Sequence, residues 1–279
     1  MATANNELLF GTAGVPQNSS GPSSLEGIRH IEKIDLDCME IEFVKGVKLG
    51  AETARKIRDQ ATESQVRLSV HAPYYINLNS PEEGKRLASQ ERLLTSARMA
   101  AICGAQNVVF HPGYYGKTSP EFTFDRIAEG LSELVSILKK ERIPVVLRPE
   151  TMGKRSQFGS LEETLFLCRK IDGIQPCIDF SHIYAREGKA NSYDEFSRIL
   201  KKIEKKLGAS AMKNMHIHVS GVAYTQKGER KHLNLRDSDF RYDDWIQALK
   251  DHHALGTVIC ESPHQEMDAL MLKKLYHSK

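Results

Sequence analysis

Short apolar runs that stop at a histidine or an acid recur along this chain, and that recurrence constrains the fold more than any other feature. The runs are VRLSVH ending at His71, NVVFH at His111, PVVLRPE at Glu150, CIDFSH with Asp179 and His182, NMHIHVSG with His216 and His218, and TVICE at Glu261. Each has the length and the Val/Ile content of a short buried strand, and such strands read as apolar on both faces. Packing alone gives no reason to end strand after strand in a side chain that can hold a metal. A fold that gathers the C-terminal ends of many parallel strands around one point does.

Two further strands precede these runs. Residues 8–14, LLFGTAG, run into a Gly-rich loop, and residues 38–43 place Glu40 and Glu42 on one face with Met39, Ile41 and Phe43 on the other. The GTAG loop is not a dinucleotide fingerprint. Helical patterns start near residue 24 and cover 50–60, 81–103, 121–141, the stretch from Ser160 to Lys170, 192–207, 242–249 and 265–276. Ser160-Leu161-Glu162-Glu163 is a capping signal. Residues 220–237 read as a long loop carrying Gly228-Glu229-Arg230-Lys231-His232. The result is eight strand–helix units in 279 residues with no linker between them. This predicts a single α/β domain over residues 1–279, a (β/α)8 TIM barrel, whose C-terminal strand ends carry the site. A doubly wound sheet is the alternative, but it brings fewer strand ends to one place.

Composition bounds the setting. Lys and Arg number 39 against 36 Asp and Glu. That balance neither argues for nucleic acid nor excludes a local basic face. Five widely spaced cysteines read as buried thiols and not as a disulfide frame. The N-terminus lacks a signal pattern and the apolar runs are short of membrane-spanning length. The expected location is cytoplasmic.

The candidate ligands are His71, His111, Glu150, Asp179, His182, His218, Glu229, His232 and Glu261. Nitrogen and oxygen donors suit Zn, Mn or Fe(II). Nine are too many for one tetrahedral ion and enough for two or three that share carboxylates. Such a cluster serves phosphoryl transfer, where neighbouring ions activate water and neutralise the attacking and leaving oxygens. A lone strand-end histidine is as readily a packed, hydrogen-bonded residue, so the reading rests on the set. A purely structural metal, the non-catalytic reading, is usually closed by four protein ligands, whereas shared carboxylates favour catalysis. His216 and His218 face the same way; His218 is nearer the mouth, and His216 fits one layer down as a supporting hydrogen-bond partner. Glu42 belongs either at the mouth or in a salt bridge.

In order and over nearly the whole chain, His71-Ala72-Pro73-Tyr74, His111-Pro112-Gly113, the Glu150 segment, Cys177-Ile178-Asp179 with His182, His218-Val219-Ser220 and Glu261 resemble the endonuclease IV family of apurinic/apyrimidinic-site DNA repair enzymes. The resemblance implies a (β/α)8 barrel with three Zn2+ ions. His71, His111 and Glu150 would hold the first. Glu150, Asp179, His218 and Glu261 would hold the second. His182, Glu229 and His232 would hold the third. It implies hydrolysis of the DNA backbone 5′ to an abasic site, removal of 3′-blocking groups, and Glu150 and Glu261 as catalytic carboxylates, with Glu150 orienting the attacking water.

At the third ion the chain departs from the family's Asp-x-His, because Glu229 and His232 are three apart. Either the longer Glu reaches, or that ion binds weakly and two remain, or Lys231 replaces part of its charge. Mn2+ is the alternative metal. The expected partner is double-stranded DNA containing abasic sites, bound by a monomer with no membrane and no obligate protein partner. Tyr74 and Tyr75 would wedge into the DNA stack, or else form a lid over a small substrate. Arg148, Arg230 and Lys231, with Lys154, Arg155 and Lys227, would contact phosphates, or else form a solvated rim; Arg148 would alternatively point inward to a carboxylate. The second reading is a sugar or sugar-phosphate isomerase or epimerase of the same barrel superfamily, with one divalent ion on Glu150, Asp179, Glu261 and His218 or His216.

Overall fold

The computed structural model describes residues 7–278. Strands and helices alternate as β1 (Leu8–Ala13), α1 (Ser24–Lys33), β2 (Cys38–Glu42), α2 (Ala51–Glu63), β3 (Arg67–His71), α3 (Glu83–Ile102), β4 (Asn107–Phe110), α4 (Pro120–Glu141), β5 (Val146–Pro149) and α5 (Leu161–Lys170). The second half continues with β6 (Cys177–Asp179), α6 (Phe180–Glu187), α7 (Tyr193–Leu207), α8 (Ala209–Met212), β7 (Met215–Val219), β8 (Gly221–Thr225), β9 (Gly228–Leu233), α9 (Tyr242–Asp251), β10 (Gly256–Cys260) and α10 (Gln265–His277). Helix starts are set by side chains that accept the free first-turn N–H groups: Ser23 and Ser160 in capping boxes, and Ser119 ahead of Pro120.

Eight strands pair in parallel in the order β5-β4-β3-β2-β1-β10-β7-β6. Bridges between Leu147 and Ile174 and between Glu150 and Cys177 bring β5 against β6 and nearly close the ring. This is a (β/α)8 barrel with one added antiparallel hairpin, β8–β9. Two elements differ from the sequence reading. Residues 220–237 are not a plain loop, because β8 and β9 pair across them. Residues 180–187 form a helix directly after β6, capped by the Asp179 carboxylate, which accepts from the His182 N–H at 2.6 Å.

The core lies between the strands and the helices. Phe10, Met39, Val70, Phe110, Leu147, Ile178, Ile217 and Val258 point outward from the barrel into it and are buried. The inner face of the barrel is mixed: Val109 and Ile259 are buried there in register with Arg148 and His218, but polar side chains stand among them, so the strands are only partly apolar on that face. At its lower end Arg148 is fully enclosed by neutral acceptors: Asn107 Oδ1 at 2.6 Å, the Pro176 and Asn214 carbonyls at 3.0 Å each, and Gln175 Oε1 at 3.0 Å. These partners sit at the N-terminal ends of β4, β6 and β7. One layer up, Glu40 accepts from Ser69 Oγ at 2.6 Å and from His216 Nε2 at 2.9 Å. Above that layer, the strand ends carry the histidines and acids. Among the described residues no helix is long and apolar enough to cross a membrane.

Candidate metal centre

Three donor groups meet at the C-terminal mouth: His71, His111 and Glu150; Glu150, Asp179, His218 and Glu261; and His182, Glu229 and His232. Within each, one ligand atom per residue lies within 4.8 Å of the others. Glu150 belongs to two groups. Its Oε2 faces His111 Nε2 at 3.1 Å and His71 Nε2 at 3.4 Å, while its Oε1 faces His182 Nδ1 at 3.0 Å and His218 Nδ1 at 3.7 Å. His218 Nδ1 is also 3.4 Å from Glu261 Oε1.

The imidazoles are aimed by what holds their other nitrogens. His71 Nδ1 bonds the Ala72 carbonyl at 2.7 Å, His182 Nδ1 the Thr151 carbonyl at 3.0 Å and His232 Nδ1 the Glu261 carbonyl at 3.2 Å. A ring whose Nδ1–H donates to a carbonyl presents a lone pair at Nε2, which is how metal-ligating histidines are oriented. His218 is held the other way round, with Nε2 at 2.9 Å from Glu40 Oε1 and Nδ1 turned to the mouth. His216 sits one layer lower, between Glu40 and Thr257 Oγ1, and both of its nitrogens are occupied. The Asp179 carboxylate divides its work: Oδ1 caps α6, and Oδ2 faces His182 Nδ1 at 3.4 Å.

The third group depends on the hairpin. Side chains three apart on a regular strand point to opposite faces. In the β8–β9 ladder Ala223 pairs with Lys231 but Tyr224 pairs with Glu229, so Arg230 is an extra residue in a β-bulge. The bulge returns Glu229 and His232 to one face. Glu229 Oε2 lies 3.5 Å from His182 Nε2, and His232 Nε2 lies 3.4 Å from it. Two glycines let the hairpin approach. A Cβ on Gly153 would lie 2.6 Å from Glu229 Cβ and 3.0 Å from His182 Cδ2, and one on Gly228 would lie 2.1 Å from the Gly153 carbonyl oxygen. The Glu229 N–H donates to that carbonyl at 3.1 Å. A further clamp joins the hairpin to α6: the Tyr184 and Tyr224 hydroxyls lie 2.6 Å apart, and the Asp239 carboxylate stands within hydrogen-bonding distance of both.

Burial and charge set the protonation. Burial opposes ionisation of Glu150, yet the surrounding imidazoles of His111, His182 and His218 outweigh it and hold the carboxyl well below the usual range. Burial also disfavours a charged His71, but Glu150 and Glu42 push it up to about 10. His182 and His218 are raised for the same kind of reason. Burial pushes Asp179 up to about 6 and Glu42 up to about 8. The raised imidazoles thus answer part of the carboxylate charge, and a cation bound there would displace their protons to reach the lone pairs.

These residues fit divalent cations. Among the described residues, Glu150 Oε1, Asp179 Oδ2 and His218 Nδ1 are buried without a hydrogen-bond partner, and all three point into the shared second group. Buried polar atoms left unpaired are costly unless another partner, such as a metal, occupies them. Sequence reasoning passed over Glu40, which holds His218, and over Gly153 and Gly228. The strand pattern of residues 38–43 already put Glu40 on one face with Glu42, without saying that this face is the inner one; nothing in the sequence marked the two glycines.

The surface residues divide. Tyr74 and Tyr75 are about half exposed at the mouth, and so is Tyr114, which the sequence reading did not single out. Arg230 and Lys231 are exposed on the hairpin. Arg148 is 1% exposed and points down the barrel, so its expected contact with a DNA phosphate is corrected. Nor does it meet a carboxylate, since its partners are amide and carbonyl oxygens. Its place in the strand alternation, two residues before Glu150, puts it on the inner face but two layers below the mouth.

A barrel of this topology with this donor set invites comparison with known proteins. The family model described as xylose isomerase-like TIM barrel matches residues 28–275, and the chain belongs to that family. An uncharacterised protein of Methanocaldococcus jannaschii is 48% identical over 271 residues, 97% of each chain. The probable endonuclease 4 of Bacillus subtilis is 29% identical over 74% of this chain and 70% of its own, and that of Aquifex aeolicus is 26% identical over 76% and 74%. Among solved structures, endonuclease IV from Thermus thermophilus superposes with a TM-score of 0.72 at 19% identity, covering 97% of both chains. A D-tagatose 3-epimerase-like protein superposes with a TM-score of 0.73 at 20% identity over 96% and 95%. At these identities the structural likeness shows the barrel alone, whereas the sequence relatives support the endonuclease IV resemblance.

Proposed function

We propose that this protein is a zinc-dependent endonuclease that hydrolyses the DNA phosphodiester 5′ to an abasic site and clears 3′-blocking groups. The observation that carries the reading is the third donor group. His182, Glu229 and His232 converge beside the other two groups through a bulged hairpin, two glycines and a tyrosine clamp. A one-ion epimerase needs only Glu150, Asp179, His218 and Glu261 and has no use for that apparatus. The likeness to a D-tagatose 3-epimerase-like protein supports the second reading, a sugar isomerase or epimerase built on those four residues.

In the nuclease reading the three donor groups would hold ions, which would supply an activated water and neutralise charge on the phosphoryl oxygens. Glu150 and Glu261 orient that water for attack on phosphorus. The bond from phosphorus to the 3′ oxygen of the preceding nucleotide breaks, and that oxygen leaves as a hydroxyl once protonated. Tyr74, Tyr75 and Tyr114 supply flat surfaces against unstacked bases. Arg230 and Lys231 meet phosphates. The protein acts as a monomer on double-stranded DNA in a reducing, cytoplasmic setting, which accords with its unpaired cysteines.

The test is incision of a duplex carrying one tetrahydrofuran abasic analogue, which cannot undergo β-elimination, with zinc content measured on the same preparation. Incision 5′ to the lesion is expected. Glu150→Gln at unchanged zinc content lowers it by about 10²-fold or more. Absence of incision by protein carrying two or three ions would sink the reading, and turnover of a free sugar by the same preparation would establish the epimerase.

A further inference from the structure

Arg186 stands in the last turn of α6, four residues after His182 and so on the same face of the helix. Neither the donor groups nor the proposed chemistry uses it. Its guanidinium serves one loop. Nη1 donates toward the Lys154 carbonyl at 2.7 Å, the Gln157 carbonyl at 3.0 Å and the Met152 carbonyl at 3.4 Å, and Nη2 donates to the Tyr115 hydroxyl at 3.1 Å. That hydroxyl in turn donates to the Glu163 carboxylate at 2.8 Å. Among the described residues no other side chain donates to these three carbonyls. In the return direction, Arg155 Nε donates to the Arg186 carbonyl at 3.0 Å.

The loop held in this way, residues 152–157, is the one the hairpin pairs with. Its far limb is tied to the exit of β4 by backbone bonds, from the Tyr115 N–H to the Ser156 carbonyl at 3.2 Å and from the Phe158 N–H to the Gly113 carbonyl at 3.0 Å. Its near limb meets the hairpin. Lys154 bridges Gly228, the Glu229 N–H donates to the Gly153 carbonyl at 3.1 Å, and the Arg155 N–H donates to the Lys227 carbonyl at 3.2 Å. Arg186 bonds both limbs, and its shortest bond goes to Lys154, the residue paired with Gly228. Helix α6 thus grips the exit of β5 at two levels one turn apart, through His182 Nδ1 at the Thr151 carbonyl and through Arg186. Hydrogen bonds from a charged donor are the strong ones. A planar guanidinium also holds several acceptors in a fixed geometry that an ammonium cannot reproduce.

We propose that Arg186 is a positioning residue for the third donor group: by fixing the loop against which the hairpin pairs, it sets Glu229 and His232 opposite His182. The inference rests on the reading in which that group holds an ion. It gives the group a selective point of failure, because the hairpin reaches His182 only by way of this loop, with Glu229 Oε2 at 3.5 Å from His182 Nε2. The first two groups stand on strand ends that their own ladders hold. Glu150, the ligand nearest the loop, is fixed through its N–H to the Phe110 carbonyl at 3.1 Å. Those groups are expected to be indifferent to Arg186.

The experiment measures stepwise zinc affinities by chelator competition on metal-stripped protein, together with thermal unfolding and the salt dependence of duplex binding. The proteins are wild type, Arg186→Met, Arg186→Lys and, to mark the step that belongs to the third group, His232→Ala. That step is expected to weaken by about 10-fold or more in Arg186→Met. It is expected to weaken less in Arg186→Lys, which keeps the charge but not the fork. The other steps are expected to stay within about threefold of wild type, and the salt slope to stay unchanged. A third-group affinity within about threefold of wild type in Arg186→Met overturns the inference while the metal reading stands. Equal losses at every ion in both Arg186 variants, or failure of both to fold, make Arg186 a general strut and overturn it too. So does a salt slope lowered by about one, which would make Arg186 a phosphate contact. If His232→Ala removes no zinc step, the third group holds no ion, and the reading falls with the inference.

Discussion

Replacing Glu40 with Ala tests whether the buried polar layer beneath the mouth both holds the barrel and aims His218. Glu40 is 0% exposed. Its removal strands the Ser69 hydroxyl and His216 Nε2, which now donate at 2.6 and 2.9 Å, and frees His218 Nε2, now 2.9 Å from the carboxylate. Burial pushes His216 down to about 4, so it is a neutral donor that cannot simply be rescued by charging. Each stranded buried group costs about 1–3 kcal/mol, and breaking a buried charged network costs about 3–5 kcal/mol. We adopt the second figure for the whole site, since the two describe the same loss. At about 2–4 °C per kcal/mol for a chain of roughly this size, the midpoint falls by on the order of 6–20 °C. Calorimetry on EDTA-treated protein measures that fall free of metal effects. Zinc titration then reads the second consequence, a loss of about 10–100-fold in affinity at the ion that His218 would hold. A midpoint within about 2 °C of wild type, together with unchanged zinc affinities, would refute the reasoning, because the layer would then neither stabilise nor orient.

The bulge is tested by length: deleting Arg230 turns Glu229 and His232 into a regular pair two apart and is expected to keep the zinc stoichiometry by elemental analysis. Arg148→Met is expected to change the salt dependence of DNA binding not at all, while Arg230→Ala lowers the slope by about one; a lowered slope in the Arg148 variant would contradict its place at the barrel floor. Because His71 stands raised to about 10 by Glu150 and Glu42 despite burial, zinc must displace its proton, so zinc affinity climbs as pH rises toward that value and falls as pH drops. Calorimetric titrations in two buffers of different ionisation heat check this, and heats independent of buffer would count against it.

Much of the site was legible before any coordinates. Strand-end chemistry is local: an apolar run of a few residues followed by His, Asp or Glu states both where a parallel strand stops and what it presents there. That is why His71, His111, Glu150, Asp179, His218 and Glu261 all lie at one rim, and why a barrel was preferred to an open sheet. The relative depth of His216 and His218 also followed, since alternation and strand direction order them along the axis.

Other features could not be read this way, because they depend on groups distant in the chain. The hairpin that carries Glu229 and His232 is marked by no regular alternation, since its bulge breaks the period that would announce it. Arg148 and Arg230 are the same residue type near the same site, and only the packing of Asn107, Gln175, Pro176 and Asn214 shows that one is a buried strut and the other a surface cation. Gly153 matters because a segment 76 residues later lies against it, Glu229 being 229 − 153 positions on. The sequence by itself determined which residues end strands and which side chains stand there, because strand length, alternation and ligand type are properties of neighbours in the chain. Which oxygen is left orphaned, which nitrogen faces the mouth and which charge is buried were decided by the tertiary structure, because each is set by a partner that only the closed barrel brings within hydrogen-bonding distance.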